Sequence, residues 1–107
     1  MVEQLTVAQN NPISGRYCAL FTVPDNCASN EFHLYIQTVY LTEALSCDLE
    51  IYSGIDDTMD FSLDYKEFTS KGYVMKRDFT MSYCKGTKVV VAARYNIFNK
   101  VKVAYEV

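Results

Sequence analysis

The chain has no tryptophan, a single histidine and no long apolar run. Each absence removes a class of function. A membrane-spanning helix needs roughly 18 or more consecutive apolar residues, so membrane insertion is not expected. His33 is the only imidazole, so Ser-His-Asp or Cys-His catalysis would have to run through that one residue. There is no G-x-S-x-G elbow, no C-x-x-C pair and no N-x-S/T sequon, which removes the hydrolase turn, the zinc knuckle, the thioredoxin motif and any glycosylation marker. Ten Lys and Arg stand against 13 Asp and Glu, for a net charge of −3. That balance excludes the basic footprint of a nucleic-acid binder and a polybasic membrane patch. The opening "MVEQLTVAQNN" lacks the basic and apolar regions of a secretory leader. Helical periodicity is weak, and there is no linker, internal repeat or low-complexity tract.

What remains is a strong period-two pattern. In "KVKVAYEV" Val101, Val103, Tyr105 and Val107 alternate with Lys100, Lys102, Ala104 and Glu106, as in a half-buried antiparallel strand. Phe79, Met81 and Tyr83 alternate with Asp78, Thr80 and Ser82, and Leu49 and Ile51 alternate with Glu50 and Tyr52. "FHLYIQTVYLT" puts Phe32, Leu34, Ile36 and Tyr40 on one face, and its second half is apolar on both, as in a central or bulged strand. "KVVVAARY" is apolar on both faces and reads as a central strand, and "RYCALFTV" is a strand closed by Pro24. The turn signals "NNP", "PDNCASN", "SGIDD", "SKG" and "CKG" separate these strands every 8–12 residues. The best helical candidate is "SLDYKEF", Ser62 to Phe68, at most a turn or two. The expectation is an all-β chain, an antiparallel β-sandwich of jelly-roll type. A chain of 107 residues reads as one domain over residues 12–107, with residues 1–11 a flexible segment or an edge strand.

The four cysteines, Cys18, Cys27, Cys47 and Cys84, are an even count in a short chain. They suggest two disulfides and an oxidising, extracellular compartment; four reduced thiols in a cytosolic protein are the alternative. Three pairings are open, of which Cys18–Cys27 with Cys47–Cys84 is preferred here.

The order of elements resembles the CUB domain, a compact extracellular β-sandwich. "GRYCALFTVP" resembles that family's Cys-strand-Pro opening, and "FHLYIQTVYLTEALSC" its long strand leading to the next cysteine. "CDLEIYSG" resembles the C-x-Y-D-x-L-E-I-Y-D-G signature, and "GTKVVVAARYNIFNKVKVAYEV" the last two strands. The sequence departs from the pattern in places. In register with "LEI", the family's aspartate position falls on Cys47, Asp48 follows it directly, and the tyrosine before it is missing.

The resemblance implies non-catalytic, extracellular recognition of a protein or glycan partner through a loop corner formed by Glu43, Asp48, Tyr52, Arg94, Tyr95 and Asn96. In many relatives such a corner holds calcium, with Glu43 and Asp48 as the matching ligands. Here Arg94 to Asn96 stand where a third aspartate is expected. A cation there opposes calcium electrostatically, and the bland reading is that Arg94 pairs with Glu43 or Asp48 in place of the ion. No cofactor is therefore expected, calcium being the ion to test. Asp56, Asp57, Asp60 and Asp64 lack the glycine and terminal glutamate of an EF-hand and read as solvated loop. His33 points away from Phe32 and Leu34, at the surface, so no enzyme is expected. Tyr17, Tyr35, Tyr52, Tyr65, Tyr73 and Tyr95 are candidates for outward-facing recognition or for closing sheet edges. Two other readings stay open: a carbohydrate-binding module stacking sugars on tyrosines, and a structural subunit self-associating through an edge strand such as "KVKVAYEV".

Overall fold

The computed structural model describes residues 1–41, 48–54, 60–68 and 74–107. Among these residues nine strands follow in order: β1 (Val2–Gln4), β2 (Ala8–Gln9), β3 (Tyr17–Thr22), β4 (Glu31–Thr38), β5 (Asp48–Gly54), β6 (Phe61–Phe68), β7 (Lys76–Ser82), β8 (Lys88–Ala93) and β9 (Phe98–Ala104). They form two antiparallel sheets, ordered β1-β9-β4-β7 and β2-β3-β8-β5-β6. Setting the two-residue β2 aside, the pairs nest from the outside in: β1 with β9, β3 with β8, β4 with β7 and β5 with β6. That nesting is one long hairpin rolled up on itself, the topology of a jelly-roll β-sandwich.

The alternation read in the sequence sets the two faces of each strand. Phe32, Leu34 and Ile36 of β4, Leu49 and Ile51 of β5, Val89 and Val91 of β8, and Val101 and Val103 of β9 all fill one core between the sheets. Each such side chain contributes roughly 1.5–3 kcal/mol by leaving water. β8 is buried on both faces: Val89 and Val91 face the core, and Ile13, Leu20, Tyr52 and Phe61 cover Val90 and Ala92 on the other side. Cys18, Val90 and Ala92 form a smaller cluster on the outer face of that sheet.

Three details depart from the sequence reading. Ser62–Phe68 lies within strand β6, not a helix: pairing with β5 overrides a weak local preference. A register shift between Gln37 and Thr38 ends β4, so Tyr40 does not share the face of Phe32 and Leu34 but is 64% exposed. The C-terminal strand β9 offers no open edge, since β1 pairs on one side of it and β4 on the other.

The two sides of the sandwich close differently. On one, β1 joins the edge of the first sheet and β2 the edge of the second, while Leu5 between them is buried and donates its N–H to the Val101 carbonyl. On the other, β6 and β7 face each other across the sheets. Arg77 reaches the Glu67 carboxylate at 2.7–3.0 Å through Nε and Nη2. The Tyr65 and Phe79 rings meet edge to face at 5.1 Å, and the Tyr83 hydroxyl donates to Asp64 at 2.6 Å. A register shift in the β5–β6 ladder, between Ile51 and Tyr52, leaves Asp64 without a ladder partner of its own.

Candidate functional site

One end of the sandwich gathers most of the corner expected from the sequence. Leu49 pairs with Ala93, so Asp48 and Arg94 continue side by side beyond that pair. The chain then turns from one sheet to the other. Ile97 folds inward to pack with Leu41 and Ala93, and its N–H bonds the Tyr95 carbonyl at 2.8 Å. Burying Ile97 leaves Arg94, Tyr95 and Asn96 exposed on the turn. The end of β4 meets the same turn, where the Val39 N–H donates to the Ile97 carbonyl at 2.8 Å. The start of β7 meets β4 there too. Thr38 donates its N–H to the Met75 carbonyl at 2.9 Å, and its hydroxyl accepts the Met75 N–H at 2.8 Å.

This convergence brings in residues that the sequence reading missed. Val39, Tyr40 and Val74 are exposed at the same end as Tyr95, which is 44% exposed. Four exposed apolar or aromatic side chains thus share one end with Arg94 and Asn96. The signal for Tyr40 was present in the two-faced apolar stretch after Gln37; the register shift decided which way it points.

Tyr52 does not belong to that end. It lies four residues along β5 from Asp48, about 13 Å away at ~3.3 Å per residue, within a polar network on the outer face of the five-stranded sheet. Arg16 Nε donates to Glu50 Oε1 at 2.9 Å, and the Tyr52 hydroxyl is also hydrogen-bonded to Glu50. The Glu50 carboxylate is almost fully buried, with Arg16 partly exposed beside it. The loop before β3 brings Arg16 there. It is shaped by Asn10 and Gly15, both at positive φ, and by the Gly15 N–H bonding Asn10 Oδ1 at 2.9 Å. The bond to Glu50 raises the Arg16 pKa further, so the guanidinium stays charged. Burial, and then Glu50, push the Tyr52 phenol above its ordinary value. Burial likewise raises the Cys18 thiol, whose Sγ donates to the carbonyls of Ile13 and Arg16 at 3.8 Å. The disposition of charge here is that of a structural latch holding the loop on the sheet.

Asp48 ion-pairs with Lys66 across the β5–β6 ladder, Nζ to Oδ2 at 2.7 Å. Glu43 lies outside the described residues. Among the described residues no group of three or more His, Cys, Asp and Glu side chains could hold a metal ion. Of the aspartate run, Asp60 is exposed, Asp64 accepts from Tyr83, and Asp56 and Asp57 lie outside the described residues. Tyr73 lies outside them too. His33 is exposed on the outer face of the four-stranded sheet, with Thr80 Oγ1 at 3.3 Å and Asp78 Oδ1 at 3.9 Å from Nδ1.

The expected Cys18–Cys27 disulfide is not formed. Cys18 sits on the outer face of its sheet, whereas Cys27 lies in the core between the sheets and donates to the Glu31 carbonyl. The sheet itself separates the two sulfurs. Cys84 is a free, exposed thiol beyond β7, at the opposite end from Asp48, and Cys47 lies outside the described residues.

No family model matches the chain, and no curated protein matches it.

Proposed function

We propose that this chain is a non-catalytic recognition module, and that it docks a protein partner through the end formed by Val39, Tyr40, Val74 and Arg94 to Asn96. The supporting observation is the gathering of exposed tyrosine and valine side chains at that one end, rimmed by Arg94 and Asn96. Tyrosine and arginine are enriched in protein interfaces, where a large apolar face carries a polar tip. An extracellular, CUB-like role fits the resemblance of "CDLEIYSG" and the jelly-roll topology. Binding is expected to be independent of calcium, because Lys66 already neutralises Asp48.

A photo-crosslinking side chain placed at position 40 tests this, with a second at Leu63, which is exposed on β6. An adduct of one defined mass from position 40 only, unchanged by EDTA, is expected. Equal labelling from both positions contradicts the reading. An adduct of twice the chain mass makes the partner a second copy and favours a self-associating subunit.

A further inference from the structure

We propose that the outer face of the four-stranded sheet binds a sulfated polysaccharide through Lys76, Lys100 and Lys102. The register places these lysines together. Gln37 pairs with Lys100 on one side and Lys76 on the other, and Tyr35 pairs with Lys102. Lys76 and Lys100 therefore lie two strand spacings apart, roughly 9–10 Å, and Lys102 lies two residues from Lys100, roughly 7 Å. Among the described residues none of the three has a carboxylate partner, in contrast to Arg16, Lys66 and Arg77. The side chains between them are set rather than loose. The Tyr35 hydroxyl donates to Gln37 Oε1 at 3.2 Å, leaving the Gln37 amide NH2 as a donor, and the Lys102 ammonium lies 5.9 Å from the Tyr35 ring centre. Among the described residues, the one acid in these rows is Asp78, across from Tyr35 and 3.9 Å from His33.

The chemistry of the face selects the occupant. It carries cations on a chain whose net charge is −3, so a polyanion is attracted here and repelled by the molecule as a whole. The rows bearing the lysines contain no large exposed apolar side chain, so the buried anchor that a protein hot spot needs is missing. Tyr35 is half-buried under Lys102 and offers no open platform for stacked bases. The cations are all lysines, point charges rather than the planar forks that favour carboxylates, which suits a sulfate ester beside sugar hydroxyls held by glutamine amides.

The experiment measures binding of the full chain to heparin fragments at about 50 mM salt and above, near neutral pH. Three lysines should give a slope of log K against log salt of about −2 to −3. The variant K76Q/K100Q/K102Q should lose measurable binding. K71Q/K85Q/K88Q makes the same change in net charge, from −3 to −6, with these three lysines kept, and should bind like the wild type. Y40S/Y95S should also bind like the wild type, which separates this surface from the proposed protein-binding end. Absence of heparin binding, equal loss in the two triple variants, or equal competition by polyglutamate or an unsulfated uronate polymer would overturn the proposal.

Discussion

The two outer faces of the sandwich treat charge in opposite ways. On the five-stranded sheet, Glu50 is buried beneath Arg16 and Tyr52, and Asp48 is matched by Lys66. On the four-stranded sheet, Lys76, Lys100 and Lys102 have no acidic partner among the described residues. Charges of the first kind hold the fold together. Removing one leaves its partner stranded in a poorly hydrated place. Charges of the second kind contribute little to stability and remain available to a partner.

Arg16→Met should break the contrast most visibly. It leaves the Glu50 carboxylate buried without its cation, and a loss of about 3 kcal/mol in urea unfolding is expected. Gly54→Ala comes next. A Cβ there would lie 2.8 Å from the Phe61 ring and 3.0 Å from the Asp60 carbonyl oxygen, so strand and ring must move. A loss of about 1–3 kcal/mol should follow.

Alkaline pH sharpens the comparison further. Burial and then the bond to Asp64 raise the Tyr83 phenol, and burial and then Glu50 raise Tyr52. The folded chain therefore holds these protons more tightly than the unfolded one. Their contribution is full below the ordinary phenol value of about 10 and is lost as pH rises through the raised values. Melting temperature should fall above about pH 10, and Tyr83→Phe should flatten that fall. The smallest effect belongs to the other face: K76Q/K100Q/K102Q should shift stability by no more than about 0.5 kcal/mol.

The sandwich was legible in the sequence because period-two alternation is a local signal that burial then enforces. β8 shows this well: "KVVVAA", rich in valine and apolar on both faces, reads as a central strand, and it lies between β3 and β5. The turn signals around Pro24 and Gly86 were equally local, since proline fixes φ and glycine admits the positive φ that Gly86 adopts. What the sequence hid was set by non-local pairing. Ser62–Phe68 became a strand only because β5 lies beside it. Tyr40 turned outward because of one register shift, and Tyr52 turned into a latch because a loop some 36 residues earlier delivers Arg16 to Glu50. Cys18 and Cys27, nine residues apart in sequence, ended on opposite faces of one sheet, which no cysteine count could reveal. Part of the candidate corner was readable because Asp48 and Arg94 flank strands that were themselves readable. Its apolar partners, Val39 and Val74, arrive from connections whose direction depends on the whole roll.

The division between the two faces is tested most directly by a double-mutant cycle on Arg16 and Glu50, followed by urea unfolding of R16M, E50Q and the pair. A coupling of about 2 kcal/mol is expected, because each residue offsets the cost of burying the other. Additive losses, with no coupling beyond error, would mean that the buried carboxylate does not depend on its arginine and that the five-stranded face is not held by its charges.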